Sequence, residues 1–196
     1  MKDSMRRLLR QIRACRVCAK HLPLGPRPVI RASGTATLLI VGQAPGRRVH
    51  KTGVPWNDPS GDRLRAWLGL TRAEFYDART IAIAPIGFCY PGRGTRGDLP
   101  PQPECAPLWH PRLRALLPRV RLTLLVGIHA QAFYLGRRRR KNLAETVAAA
   151  RDYLPEFLPL PHPSPRNQQW FLTHPWFERR IVPLVRRLAR EAIRPS

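Results

Sequence analysis

The sequence has 196 residues, 43% of them apolar, which excludes a disordered chain and suits one domain (residues 1–196) with a real core. Its 35 Lys and Arg against 12 Asp and Glu give a net charge of +23, which favours a polyanionic partner over a merely solubilising surface. Apolar runs such as LTLLV are far too short to cross a bilayer, and the basic start lacks the apolar stretch of a secretory signal.

In chain order, residues 1–14 read as a helix with Met5, Leu8, Leu9 and Ile12 on one face. CRVCAKHLPLGPRPV is a Pro-rich loop, and 35–43 is a short buried strand. A Gly/Pro-dense loop follows, then a helix with Ser60 as the expected N-cap and Leu64, Trp67 and Leu68 facing inward. Residues 80–88 form a second strand, running into the loop CYPGRGTRGDLPPQP. ECAPLWHPRLRALL resumes helix despite its prolines, 120–127 is a third strand, and IHAQAFYLG a helix. The charge run RRRRK (137–141) precedes a helix capped by Asn142, with Glu145 in the capping-box place. That run fits a solvated helix end and a DNA-backbone contact equally well. A fourth strand at 157–161 leads into the loop HPSPRNQQW, and a basic amphipathic helix closes the chain.

This alternation predicts an α/β fold: a three-layer α/β/α sandwich around a small, mainly parallel four-stranded sheet. In such sheets the working loops lie beyond the C-terminal strand ends, and the Gly/Pro-rich loops named here all follow strands. No internal repeat or domain break is visible.

The four cysteines stand as C-x2-C at Cys15 and Cys18, then, 70 residues on, as C-x15-C at Cys89 and Cys105. They can be four buried free thiols, a zinc site or an iron–sulfur site; four thiolates suit either metal centre, and spacing does not choose.

Two further stretches are specific. GQAPG (42–46), followed by TGVPWNDPSGDRL, and HPSPRN (162–167) resemble the uracil-DNA glycosylase superfamily, nearest its iron–sulfur branches, families four and five. The HPSPRN loop is especially like that of the single-strand-selective branch. The resemblance runs from Cys15 to the final helix and implies a uracil-DNA glycosylase-like fold. It also implies a monofunctional DNA glycosylase that flips uracil out of DNA and leaves an abasic site. By resemblance, Cys15, Cys18, Cys89 and Cys105 would hold a structural [4Fe–4S] cluster, with zinc as the lesser alternative. Gln43 stands where family four carries a glutamate; Asp58 resembles the carboxylate of family five and would orient water. Trp56 would stack on the flipped base and His162 would donate to uracil O2. Ala44, Asn57, Phe88 and Asn167 complete the expected base-binding set. Arg47, Arg48, Lys51, Ser164 and Arg166 would meet DNA, with Arg166 filling the space the base leaves.

One departure concerns base choice. The asparagine usual near the end of the second strand is absent, Ala84 and Pro85 standing there instead. Backbone groups of Ile86 to Phe88, or Asn57 or Asn167, are the remaining candidates to read the base, and hypoxanthine or xanthine stay open beside uracil. A non-catalytic binder of damaged or abasic DNA on the same fold, and an unrelated metal-stabilised RNA-binding protein, are the competing readings. The resemblance further implies a monomer in a bacterial-type cytoplasm, near the nucleoid, without a membrane partner.

Overall fold

The computed structural model describes residues 4–95 and 97–194. The expected first helix is α1, Met5–Arg13, capped by the Ser4 hydroxyl; residues 1–3 of that expectation lie outside the described residues. Four strands form the central sheet: β1 (Leu38–Val41), β2 (Ile81–Ile83), β5 (Leu122–Val126) and β6 (Phe157–Leu160). Their order is β2-β1-β5-β6, and every pairing is parallel. β3 (Arg93–Gly94) and β4 (Gly97–Asp98) make a separate small hairpin, unforeseen in a stretch expected to be loop.

Near-continuous apolar runs suit strands covered on both faces. Their side chains alternate between two cores. Leu38, Ile40, Ile81, Ile83, Leu122, Leu124, Leu158 and Leu160 face one, together with α3 (Pro59–Leu68) and α9 (Val182–Ile193). Leu39, Val41, Ala82, Leu125 and Phe157 face the other, with α1, α5 (Cys105–Ala115) and α6 (Ile128–Leu135). The result is the expected three-layer sandwich.

The strands are shorter than the apolar runs implied. β2 proper ends at Ile83, and the buried chain beyond it stays alongside β1: Ala84 N–H donates to Ile40 O and Ile86 N–H to Gly42 O. Helices occupy several expected loops. α2 (Arg47–Thr52) follows GQAPG and stops at Gly53, which adopts φ +71°. α4 (Arg72–Phe75) has a full capping box between Thr71 and Glu74. α7 (Leu143–Ala148) is capped by Asn142 as expected, and α8 (Gln168–Thr173) starts inside the predicted HPSPRNQQW loop. The closing helix begins as a π-helical turn, Phe177–Ile181.

Ser60 is not the cap of α3. That place belongs to Asp58, whose Oδ1 accepts the Gly61 N–H at 2.9 Å. Pro59 explains the shift: it sits at the first helical position, where its missing N–H costs nothing.

Candidate active site

The strand order reverses direction between β1 and β5, which is where open α/β sheets gather their ligand-binding loops. A cleft of about 720 Å³ opens there, walled by the segments after β1, β2, β5 and β6.

Trp56 forms its floor. Its backbone takes φ +56°, an uncommon setting for a bulky side chain, and the surroundings hold it there. The Tyr76 hydroxyl donates to Pro55 O at 2.7 Å, and Arg65 Nη1 donates to Trp56 O at 3.2 Å. Arg65 is itself buried, paired with Asp62 and lying over the Phe75 ring. Two glycines make room. A Cβ on Gly42 would stand 2.7 Å from the indole edge, and one on Gly61 only 1.8 Å from Trp56 O.

Asp58, as the cap of α3, is fixed at the cleft wall. Burial pushes its carboxyl pKa up; the Gly61 N–H and the Arg48 guanidinium pull the other way. His162 opens the turn after β6, its ring centroid 5.6 Å from that of Trp56. Burial, and to a lesser degree His129, hold its pKa at about 4, so the imidazole is neutral at pH 7. Across from it Gly127, at φ +88°, leaves only van der Waals room beside the His162 ring. The Asn167 amide donates to His162 O at 2.8 Å and closes the turn.

Trp56, Asp58 and His162 therefore line one cleft, together with Gln43, Ala44, Arg47, Arg48, Ser164, Arg166 and Asn167. The Gln43 amide is turned onto Leu99 O at 3.1 Å, so it braces the β3–β4 hairpin. Arg166 rests against the same hairpin: a Cβ on Gly97 would be 3.0 Å from its Nη1.

Three expected residues are elsewhere. Lys51 is exposed on α2 and does not line the cleft. Asn57 accepts from Arg72 Nη2 at 3.1 Å, outside the cleft lining. Phe88 is buried in the core, its ring stacked on His110 at 5.7 Å and 6°. The backbone donors expected to read the base are also committed: Ile86 N–H to Gly42 O, Gly87 N–H to Gln43 O, and Phe88 N–H to the Cys105 sulfur. Of the alternatives named for that task, only Asn167 lines the cleft. Conversely, Asp98, Ile128 and Leu143 line it without a signal in the sequence, because hairpin, helix start and loop end meet there only after folding.

The four cysteines converge. Cys15, Cys18, Cys89 and Cys105 are free thiols around one small cavity beneath α1 and the start of α5. They are near enough to act on one another: burial first, then neighbouring sulfurs, push Cys89 up to about 11 and Cys105 up to about 12. Among the described residues, however, no group of three or more His, Cys, Asp or Glu has the arrangement that holds a metal ion.

A family model described as the uracil DNA glycosylase superfamily matches residues 31–186. The four-stranded parallel sheet flanked by helices agrees with that superfamily's fold.

Proposed function

The chain belongs to the uracil DNA glycosylase superfamily, and we propose that it hydrolyses the N-glycosidic bond of deoxyuridine in DNA, leaving an abasic site. One observation carries this reading: a half-buried carboxylate, a neutral imidazole and an aromatic ring share one cleft, with the Trp56 and His162 rings 5.6 Å apart.

The chemistry follows from those groups. Uracil must leave the stack before its C1′ is reachable, and Trp56 offers the extruded base a face worth about 1–3 kcal/mol. As the C1′–N1 bond breaks, the electron pair goes to the base and negative charge builds on O2. A neutral imidazole fixed beside that ring donates to that oxygen as the charge grows, with no cost of reorganisation. The sugar becomes cationic, and the Asp58 carboxylate opposes that charge and orients water toward C1′. Water supplies the hydroxyl at C1′; its proton ends on the departing base. Arg47, Arg48 and Arg166 line the cleft with positive charge for the phosphates.

Cys15, Cys18, Cys89 and Cys105 would hold a [4Fe–4S] cluster, which when bound ties the CRVC turn, the segment after β2 and α5 into one unit. This rests on four free thiols around one cavity, with the Phe88 N–H 3.4 Å from the Cys105 sulfur.

The test is alkali-induced strand scission of uracil-bearing DNA, beside the same oligonucleotide with hypoxanthine or xanthine. His162→Ala is expected to lower the single-turnover rate about 10²–10³-fold. Tight abasic-site binding with no base release from any substrate would overturn the enzyme reading in favour of a non-catalytic binder.

A further inference from the structure

The charge run Arg137–Lys141 connects two layers of the fold. Upstream, α6 packs in the core that holds Phe157; downstream, Val147 of α7 packs in the opposite core. β6 is an edge strand of the sheet, and α7 packs against it. The Arg138 guanidinium lies 5.9 Å from the Phe157 ring centroid, at the first residue of β6. Leu143 lines the cleft beyond the strand's last residue. The run therefore lies between the start of β6, where Arg138 rests, and Leu143 of the cleft wall.

Within the run the side chains alternate in role. Arg138 lies over the Tyr153 and Phe157 rings, and its carbonyl accepts from the Tyr153 hydroxyl at 2.9 Å. Arg140 pairs with Asp152 at 2.7 Å, and its N–H donates to Thr146 Oγ1. Both fasten the segment down. All five residues of the run are exposed, and what sets Arg137, Arg139 and Lys141 apart is their partners. Among the described residues, Arg137 and Lys141 have no side-chain hydrogen bond or ion pair, and Arg139 bonds only the Gly136 carbonyl, through Nε at 3.2 Å. Arg139 itself is extended, at φ −61° and ψ 147°, whereas Arg137 and Arg138 belong to the 3-10 turn Gly136–Arg138 that precedes it.

We propose that Arg137, Arg139 and Lys141 form a second phosphate-binding track, which holds the DNA backbone flanking the lesion along the β6 edge as it leaves the cleft. This rests on the DNA reading proposed for the cleft and extends the footprint beyond it. The two fastened arginines pre-position the three free ones, so less side-chain entropy is lost on binding.

The test is the salt dependence of binding to a long uracil-bearing duplex, measured for the wild-type chain and for the triple variant R137Q/R139Q/K141Q. Removal of three phosphate contacts is expected to reduce the slope of log K against log salt by about two to three. On a short oligonucleotide that reaches no further than the cleft, binding and single-turnover base release are expected to match wild type. Arg140→Gln, from the fastened set, is expected to change the slope by less than one contact while lowering thermal stability. An unchanged slope on the long duplex overturns the proposal, as does an equal loss on the short one, which would mark a diffuse charge effect. Loss of binding to an RNA hairpin with the DNA slope intact also overturns it. If no variant or wild type releases a base, yet the slope falls as expected, the catalytic reading fails and the track stands.

Discussion

Asp58 has two duties that a pair of substitutions can separate. It caps α3 through the Gly61 N–H, and it presents a half-buried carboxylate to the cleft. Asparagine is as good an N-cap as aspartate, whereas alanine forfeits the cap at about 0.5–2 kcal/mol. Burial raises the carboxyl pKa above the 3.8 of an ordinary aspartate. A folded-state pKa above the unfolded one means that the folded protein binds the proton more readily, so ionisation of Asp58 at neutral pH works against stability. Asp58→Asn is therefore expected to melt at or above the wild-type temperature, while Asp58→Ala melts lower, by about 2–4 °C per kcal/mol of lost cap. Both are expected to lose about 10²–10³ in single-turnover base release, the usual cost of one preorganised electrostatic group of about 2.7–4 kcal/mol. Calorimetry and a quenched-time-course scission assay on the same preparations give both readouts. An Asp58→Asn variant as active as wild type would refute the assignment of the carboxylate. A variant melting as low as Asp58→Ala would refute the cap reasoning.

Gly42→Ala places a Cβ 2.7 Å from the Trp56 ring, so the ring must shift; substrate binding is expected to weaken about 5- to 150-fold, the worth of one base–aromatic stack, with little change in melting temperature. His162, held at about 4 against 6.5 for a free imidazole, binds its proton more readily unfolded. Its contribution to stability is thus complete above pH 6.5 and is lost as pH falls toward 4; melting temperatures across that interval should decline in wild type and decline less in His162→Ala. Protein purified without oxygen is expected to be brown and to contain about four irons per chain, and Cys105→Ser to lose both colour and thermal stability. A colourless wild-type protein at full melting temperature would exclude the cluster.

The sequence alone determined the layers and the neighbourhoods. Unbroken apolar runs of four or five residues are stable only with both faces covered, so β1, β5 and β6 implied a parallel sheet between helices. The two motif loops had to meet because both follow such strands, and the matched residues Trp56, Asp58 and His162 do share the cleft. What the sequence did not determine was orientation and competition for partners. Nothing local marks that Phe88 turns to His110, that Arg72 takes Asn57, or that Gly42 accepts the Ile86 N–H and so takes up a donor expected to read the base. Those outcomes depend on groups far apart in the chain, and each side chain or backbone donor has only one best partner once the core closes. The charge run shows the same division: its composition was plain, but only contacts with Tyr153, Phe157 and Asp152 gave Arg138 and Arg140 side-chain partners that the other three exposed cations lack.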